Sequence, residues 1–209
     1  MNIQEFQNEI KNCKECSKYS DLNKITFKKP KNFFIKPEIN TIILGHSPKV
    51  RTSEEAEYVL KMDKENQPLY KYINKKILEP LNINVDNIYC TNLLKCMTNE
   101  MPEDIKDKKN FISLSIHNCK ELFEKEVALI NPKVIISLSK TVLTFICKYY
   151  YFMNLSISES FGRLFEITID GKIYKYIPVV HIQKNKKGKE KYYAEQINRL
   201  KDHQNIFNE

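Results

Sequence analysis

A chain of 209 residues with 42% hydrophobic content is long enough to bury one sizeable core, and 29% charged residues mark a soluble protein. The longest apolar runs fall well short of the roughly 18 residues a membrane helix needs, and the polar start at Met1–Gln7 lacks a signal-peptide core. The expectation is a single domain over residues 1–209, intracellular and cytoplasmic, monomeric and with no membrane partner. The net charge of +8 suits an anionic partner such as nucleic acid, although a lysine-rich composition with only four glycines explains it equally well.

In chain order, Phe6, Ile10 and Cys13 sit at helical spacing and predict a short helix within residues 1–20 that carries Cys13 and Cys16. Residues 21–40 are basic, contain Pro30 and Pro37, and read as an irregular connection. Thr41-Ile42-Ile43-Leu44-Gly45 reads as a buried strand running into the turn His46-Ser47-Pro48, where Gly permits a tight bend and Pro stiffens the exit. Ser53 caps a predicted helix over 53–62. A second helix spans 69–80, with Leu69, Tyr72, Ile73 and Ile77 on one face and Pro80 just past its end. Residues 87–95 form a strand entering a loop, and 98–110 are polar loop.

A long helix over 111–130, through Ile116, Leu122, Phe123 and Leu129, stops at Asn131-Pro132. Val134–Leu138 follows as a buried strand and 140–152 as a helix. Residues 163–169 and 173–180 read as paired strands around Asp170-Gly171, and His181 closes the second of them. A basic loop at 184–191 precedes a last helix at about 192–203. The alternation of strands and helices predicts an α/β sandwich on a mainly parallel sheet. In such sheets ligands bind beyond the carboxyl ends of the strands, where the turn at 45–48 lies.

Six cysteines, Cys13, Cys16, Cys90, Cys96, Cys119 and Cys147, are thiols or metal ligands rather than disulfides in a reducing compartment. Cys90 and Cys147 lie in apolar patterns and read as core.

Four features occur in a fixed order: Cys13-x-x-Cys16; a strand ending in Gly45-x-x-Pro48; Thr91-Asn92-Leu93-Leu94-Lys95-Cys96, followed by Cys119 and by Pro132-Lys133-Val134-Ile135-Ile136-Ser137-Leu138; and Phe161-Gly162-Arg163 ahead of Pro178-Val179-Val180-His181. Over residues 10–200 this set resembles the uracil-DNA glycosylase superfamily, most closely its iron–sulfur branch, family four, as a divergent member. The resemblance implies a three-layer α/β/α sandwich around a central, mainly parallel four-stranded sheet. It implies a hydrolase of base excision repair that flips uracil out of single- or double-stranded DNA and cleaves its N-glycosidic bond.

By the same resemblance, Cys13, Cys16, Cys96 and Cys119 hold a 4Fe–4S cluster rather than zinc, because structural zinc usually shows two close pairs and the second pair here is widely spaced. Buried free thiols are the plainer reading of the same residues. Asn92 falls at the family's pyrimidine-reading position, where an amide complements the O4 and N3–H edge of uracil; a turn-capping Asn is the alternative. His181 matches the closing histidine that stabilises the departing base, with a surface His as its rival. Gly45, Ser47 and Pro48 form the pocket floor.

The chain departs from the family pattern at three places. His46 stands where the family has Glu, either as a replacement base or as a mark of lost catalysis. In Asn66-Gln67-Pro68-Leu69-Tyr70, Leu69 occupies the position of the base-stacking Phe, and Tyr70 supplies a ring one residue over. The closing His-Pro-Ser is His181-Ile182-Gln183, which offers Ile182 as the wedge and Lys184, Lys186 and Lys187 as phosphate contacts, against a merely solvated loop. The alternatives to uracil excision are a catalytically inactive nucleic-acid-binding protein on this scaffold and a glycosylase for another deaminated base.

Overall fold

The computed structural model describes residues 2–18, 27–28, 39–47, 60, 67–98, 108–181 and 189–207. Pro48, the predicted helix at 53–62, Ile182, Lys184, Lys186 and Lys187 lie outside the described residues.

The centre is a sheet of five strands in the order β3-β2-β5-β7-β6. These are β2 (Thr41–Gly45), β3 (Ile88–Asn92), β5 (Val134–Leu138), β6 (Phe165–Ile169) and β7 (Lys172–Val179). The expected count of four strands is therefore one short. β3, β2, β5 and β7 are mutually parallel, and β6 adds an antiparallel edge through its hairpin with β7. That hairpin turns at Asp170 and Gly171, both with positive φ (48° and 76°), the backbone a tight hairpin turn demands. A separate two-strand pair joins β1 (Phe27–Lys28) to β4 (Met97–Thr98), inside stretches that read as irregular from sequence.

Helices cover both faces, which makes the three layers. β2 is buried along its whole length because it sits inside the sheet with helices on either side. Its Ile42 and Leu44 join a core with α1 (Ile3–Asn12), α4 (Lys108–Ile130) and α5 (Lys140–Ile146). Its Ile43 joins a second core with Tyr72 and Ile73 of α2 (Pro68–Ile73), Leu81 of α3 (Glu79–Leu81) and Leu200 of α7 (Lys189–Lys201). Strand side chains alternate between faces, so parity tells which helical layer each residue meets. Among the described residues no helix is long and apolar enough to cross a membrane.

Several predicted boundaries shift for local reasons. α1 ends at Asn12, with Cys13 as its extended cap, so Cys16 lies in a short 3₁₀ turn, Glu15–Lys18, rather than on the helix. Pro80 lies inside the helical stretch, two residues after the π-helical turn that carries Leu78, rather than past its end. The stretch from α2 to α3 passes through a π-helical turn at Asn74–Leu78 and ends at Asn82, which adopts the left-handed conformation. α7 begins at Lys189, ahead of the expected position.

Candidate functional site

The carboxyl ends of β2 and β3 are zipped together. Gly45 pairs with Asn92 in the parallel register. Beyond the strands, Leu93 N–H donates to the Gly45 carbonyl and Leu94 N–H to the His46 carbonyl, each at 3.0 Å. The turn carrying Gly45, His46 and Ser47 is thus fixed against the loop that follows Asn92. Gly45 and Ile43 share one parity, and Asn92 shares that of Ile88, so both point to the face covered by α2 and α7.

On that face the Asn92 side chain lies directly over Gly45: a Cβ built on Gly45 would meet Asn92 Oδ1 at 2.2 Å. Glycine is required here by contact, not by turn geometry. Asn92 is 1% exposed, and neither Oδ1 nor Nδ2 has a hydrogen-bond partner among the described residues. A buried amide left in this state costs about 1–3 kcal/mol, and such groups in folded proteins call for an explanation. A ligand edge with one donor and one acceptor supplies it.

The next residue faces the other way. Thr91 points to α4 and enters a wholly buried polar network. Glu126 of α4 accepts from Tyr89 Oη (2.7 Å) and Thr91 Oγ1 (2.9 Å) on Oε1, and from Lys95 Nζ (2.5 Å) on Oε2. Lys95 Nζ also donates to Thr91 Oγ1 (2.9 Å) and to the Asn92 carbonyl (2.7 Å). Lys95 and Glu126 are 1% and 0% exposed. The ammonium spends all its donors, and burial together with the Glu126 charge holds the Tyr89 hydroxyl well above its usual range. Neither charged residue is singled out by sequence reading. The available signal is a Glu in the middle of the apolar stripe formed by Cys119, Phe123 and Val127 at helical spacing.

His181 sits two residues beyond β7, exposed, and Val180 before it is clamped from both sides. Gln196 of α7, fully buried, accepts the Val180 N–H at 2.8 Å and donates to Lys76 O and Tyr72 Oη at 3.3 and 3.4 Å. Tyr72 Oη in turn donates to the Val180 carbonyl. The start of α2, where Leu69 and Tyr70 stand, is thereby tied to the end of β7. Leu69 packs against the core around Tyr72 and Ile73, and Tyr70 is half-buried. Asn92 and His181 do not arrive from neighbouring strands: β3 and β7 have β2 and β5 between them. Three strand spacings separate their backbones by about 14 Å, a gap that two side chains and one bound ring can bridge.

The cysteines gather in part. Burial raises the Cys16 thiol above its usual value, with a smaller contribution from Cys13, and Cys16 and Cys13 both act on Cys119. Burial pushes Cys119 up to about 11, against a hydrogen bond from the Lys95 main chain that lowers it. Asn118 Nδ2 donates to Cys16 Sγ at 3.6 Å. Cys96 is half-buried directly after Lys95. Among the described residues no group of three or more His, Cys, Asp or Glu side chains is placed to hold a metal ion. Cys147 is buried as expected, and Cys90 is half-buried on the edge strand β3.

Among curated proteins none matches the chain. The profile of the uracil DNA glycosylase superfamily matches residues 33–201, a span that contains the sheet, the Gly45–Asn92 contact and the clamp on Val180. The chain belongs to the uracil DNA glycosylase superfamily.

Proposed function

We propose that the protein is a DNA glycosylase that hydrolyses the N-glycosidic bond of uracil after flipping the base out of the strand. The observation that carries this reading is the buried Asn92 amide at the carboxyl edge of the sheet, which has no hydrogen-bond partner among the described residues. Its Nδ2 donates to uracil O4 and its Oδ1 accepts from N3–H, whereas cytosine presents a donor where the amide would donate. Asn92 therefore selects uracil.

In the proposed reaction the bond between sugar C1′ and base N1 breaks and its electron pair leaves with the base. His181 donates a hydrogen bond to O2 as that charge develops. Water adds to C1′ and its proton passes to the His46 imidazole, which stands in for the family's carboxylate. The uracil anion then takes up a proton from solvent as His46 gives its own back, and the products are free uracil and an abasic site. Tyr70 stacks on the base, since Leu69 is committed to the core. Ile182 fills the space left in the strand, and Lys184, Lys186 and Lys187 hold phosphates.

Cys13, Cys16, Cys96 and Cys119 are the proposed ligands of a 4Fe–4S cluster. The mutual influence of Cys13, Cys16 and Cys119 and the amide donors to two of the sulfurs support this reading. Such a cluster would join α1, the loop after β3 and α4 without entering the reaction.

The deciding experiment incubates the protein with single- and double-stranded oligonucleotides carrying uracil, hypoxanthine or xanthine, followed by alkaline cleavage. Strand breaks at uracil, lost in Asn92→Ala and His181→Ala, support the assignment. Breaks at another base move the specificity. No breaks with retained DNA binding leave the inactive binding protein, which the replacement of the family's Glu by His46 favours.

A further inference from the structure

We propose that Glu126, acting through Lys95, is a positioning residue for the base-reading amide of Asn92. The inference rests on the uracil-reading role given to Asn92 above. Among the described residues no side chain holds that amide, and its direction is set by the Asn92 backbone and by packing on Gly45. The peptide after Asn92 is fixed at both ends: its N–H, on Leu93, donates to the Gly45 carbonyl at 3.0 Å, and its carbonyl accepts from Lys95 Nζ at 2.7 Å. Lys95 has a flexible stem and takes this position only because Glu126 and Thr91 hold the other faces of its ammonium.

A buried ion pair is poor evidence of stabilisation, because apolar side chains of equal volume often do as well. Its better-attested use is to fix one arrangement among several. Here the arrangement is the peptide plane from which the Asn92 side chain departs. Thr91 and Asn92 face opposite layers, so the pair on α4 controls a pocket on the α2 side of the sheet without touching the ligand. The Lys95 main chain also donates to the Cys119 sulfur, so the same residue ties the pocket to the cysteine group.

The test compares Glu126→Gln, the volume-conserving double variant Lys95→Met/Glu126→Met and the milder Tyr89→Phe, which removes one bond to the carboxylate and no charge. For each, affinity is measured for a non-hydrolysable 2′-fluoro-deoxyuridine oligonucleotide and for the matching 2′-fluoro-deoxycytidine strand, whose base edge the Asn92 amide opposes, and the crystal structure of a folded variant is determined. Positioning predicts that discrimination between the two strands falls at least tenfold in the first two variants and less in the third. Affinity for the deoxycytidine strand stays unchanged, and the Asn92 amide moves off Gly45.

A purely structural pair lowers both affinities together with the folded fraction, and that result overturns the proposal, as does an unmoved Asn92 in any folded variant. Wild-type protein that fails to discriminate between the strands rejects the uracil reading instead, and the position of Asn92 in the variant crystals then decides on positioning alone.

Discussion

Gly45 and Asn92 are paired across β2 and β3 so closely that the space a Cβ would take on Gly45 is already filled by Asn92 Oδ1, at 2.2 Å. Replacing Gly45 by Ala must therefore drive the amide away from its seat. The backbone at Gly45 is ordinary strand, so the fold survives. The expected result is a cooperative melt only a few degrees below wild type, with kcat/KM for uracil excision down about a hundredfold, equivalent to some 2.7 kcal/mol of transition-state stabilisation. Full activity in the folded variant would remove Asn92 from the site.

The same amide predicts a gain of stability on its removal. Asn92→Leu keeps the volume and replaces two unpartnered buried atoms with methyl groups. An unsatisfied buried polar group costs about 1–3 kcal/mol, and a chain of this length gains about 2–4 °C in Tm per kcal/mol. Denaturant melts should show the variant more stable than wild type while excision disappears. A variant that is less stable would mean that the amide has a partner in the free protein.

The contrast between Asn92 and Glu126 marks how far the sequence reaches. Asn92, Gly45 and His181 are legible because each closes a short apolar strand, and strand ends are where chemistry sits in such sheets. The buried strands β2 and β5 are legible from their short, nearly continuous apolar runs, and β7 from its aromatic and β-branched residues around Lys175. The antiparallel β6 is legible too, but its membership in the central sheet depends on which edge the hairpin folds against, and no local pattern encodes that. Lys95, Glu126 and Gln196 escape because a charged or amide side chain scores as surface. Their burial follows only from partners 31 and 16 residues away, for Lys95–Glu126 and Val180–Gln196. Pro80 misleads because a Pro is expected to end a helix, whereas here the helical stretch runs through it to Leu81.

Gln196 holds Val180 and so sets the backbone from which His181 projects. Gln196→Met keeps the volume but strands the Val180 N–H and loosens Tyr72. A loss of about 1–3 kcal/mol follows from the unsatisfied donor, read as a drop of several degrees in Tm. Excision should fall in kcat more than in KM, since in the proposed reaction His181 acts on charge that develops during bond cleavage. Tyr72→Phe, which removes the bond to the Val180 carbonyl and the ring's link to Gln196, should show the same pattern more weakly.

The thiol of Cys90 gives a pH dependence of fixed sign. Burial against the core raises it from its usual 9.0 to about 12. The folded state therefore keeps a proton that the unfolded chain begins to release near pH 9. Between those values the unfolded state binds fewer protons, so stability falls as pH rises. Below pH 9 both states hold the proton and the contribution is flat. Tm measured from pH 8 to 11 should decline in wild type and decline less steeply in Cys90→Ala. Parallel curves would show that the thiol is not differentially buried.

Ser139 ends β5 at the point where the sheet reverses its strand order, with φ 140° and ψ 160°, a region that favours glycine. Strain of this kind costs about 1–3 kcal/mol. Against its relief stand the entropy of an added glycine, about 0.5–1 kcal/mol, and the loss of the helix cap that Ser139 Oγ makes to Val142 N–H, which on replacement by Gly costs only a few tenths. Ser139→Gly should therefore raise stability by about 1 kcal/mol, or roughly 2–4 °C in Tm. A fall in Tm would show that the cap outweighs the strain. Excision measured alongside separates the two uses of the position: unchanged kcat/KM assigns Ser139 to the start of α5 alone, and a loss places its hydroxyl among the groups that line the pocket.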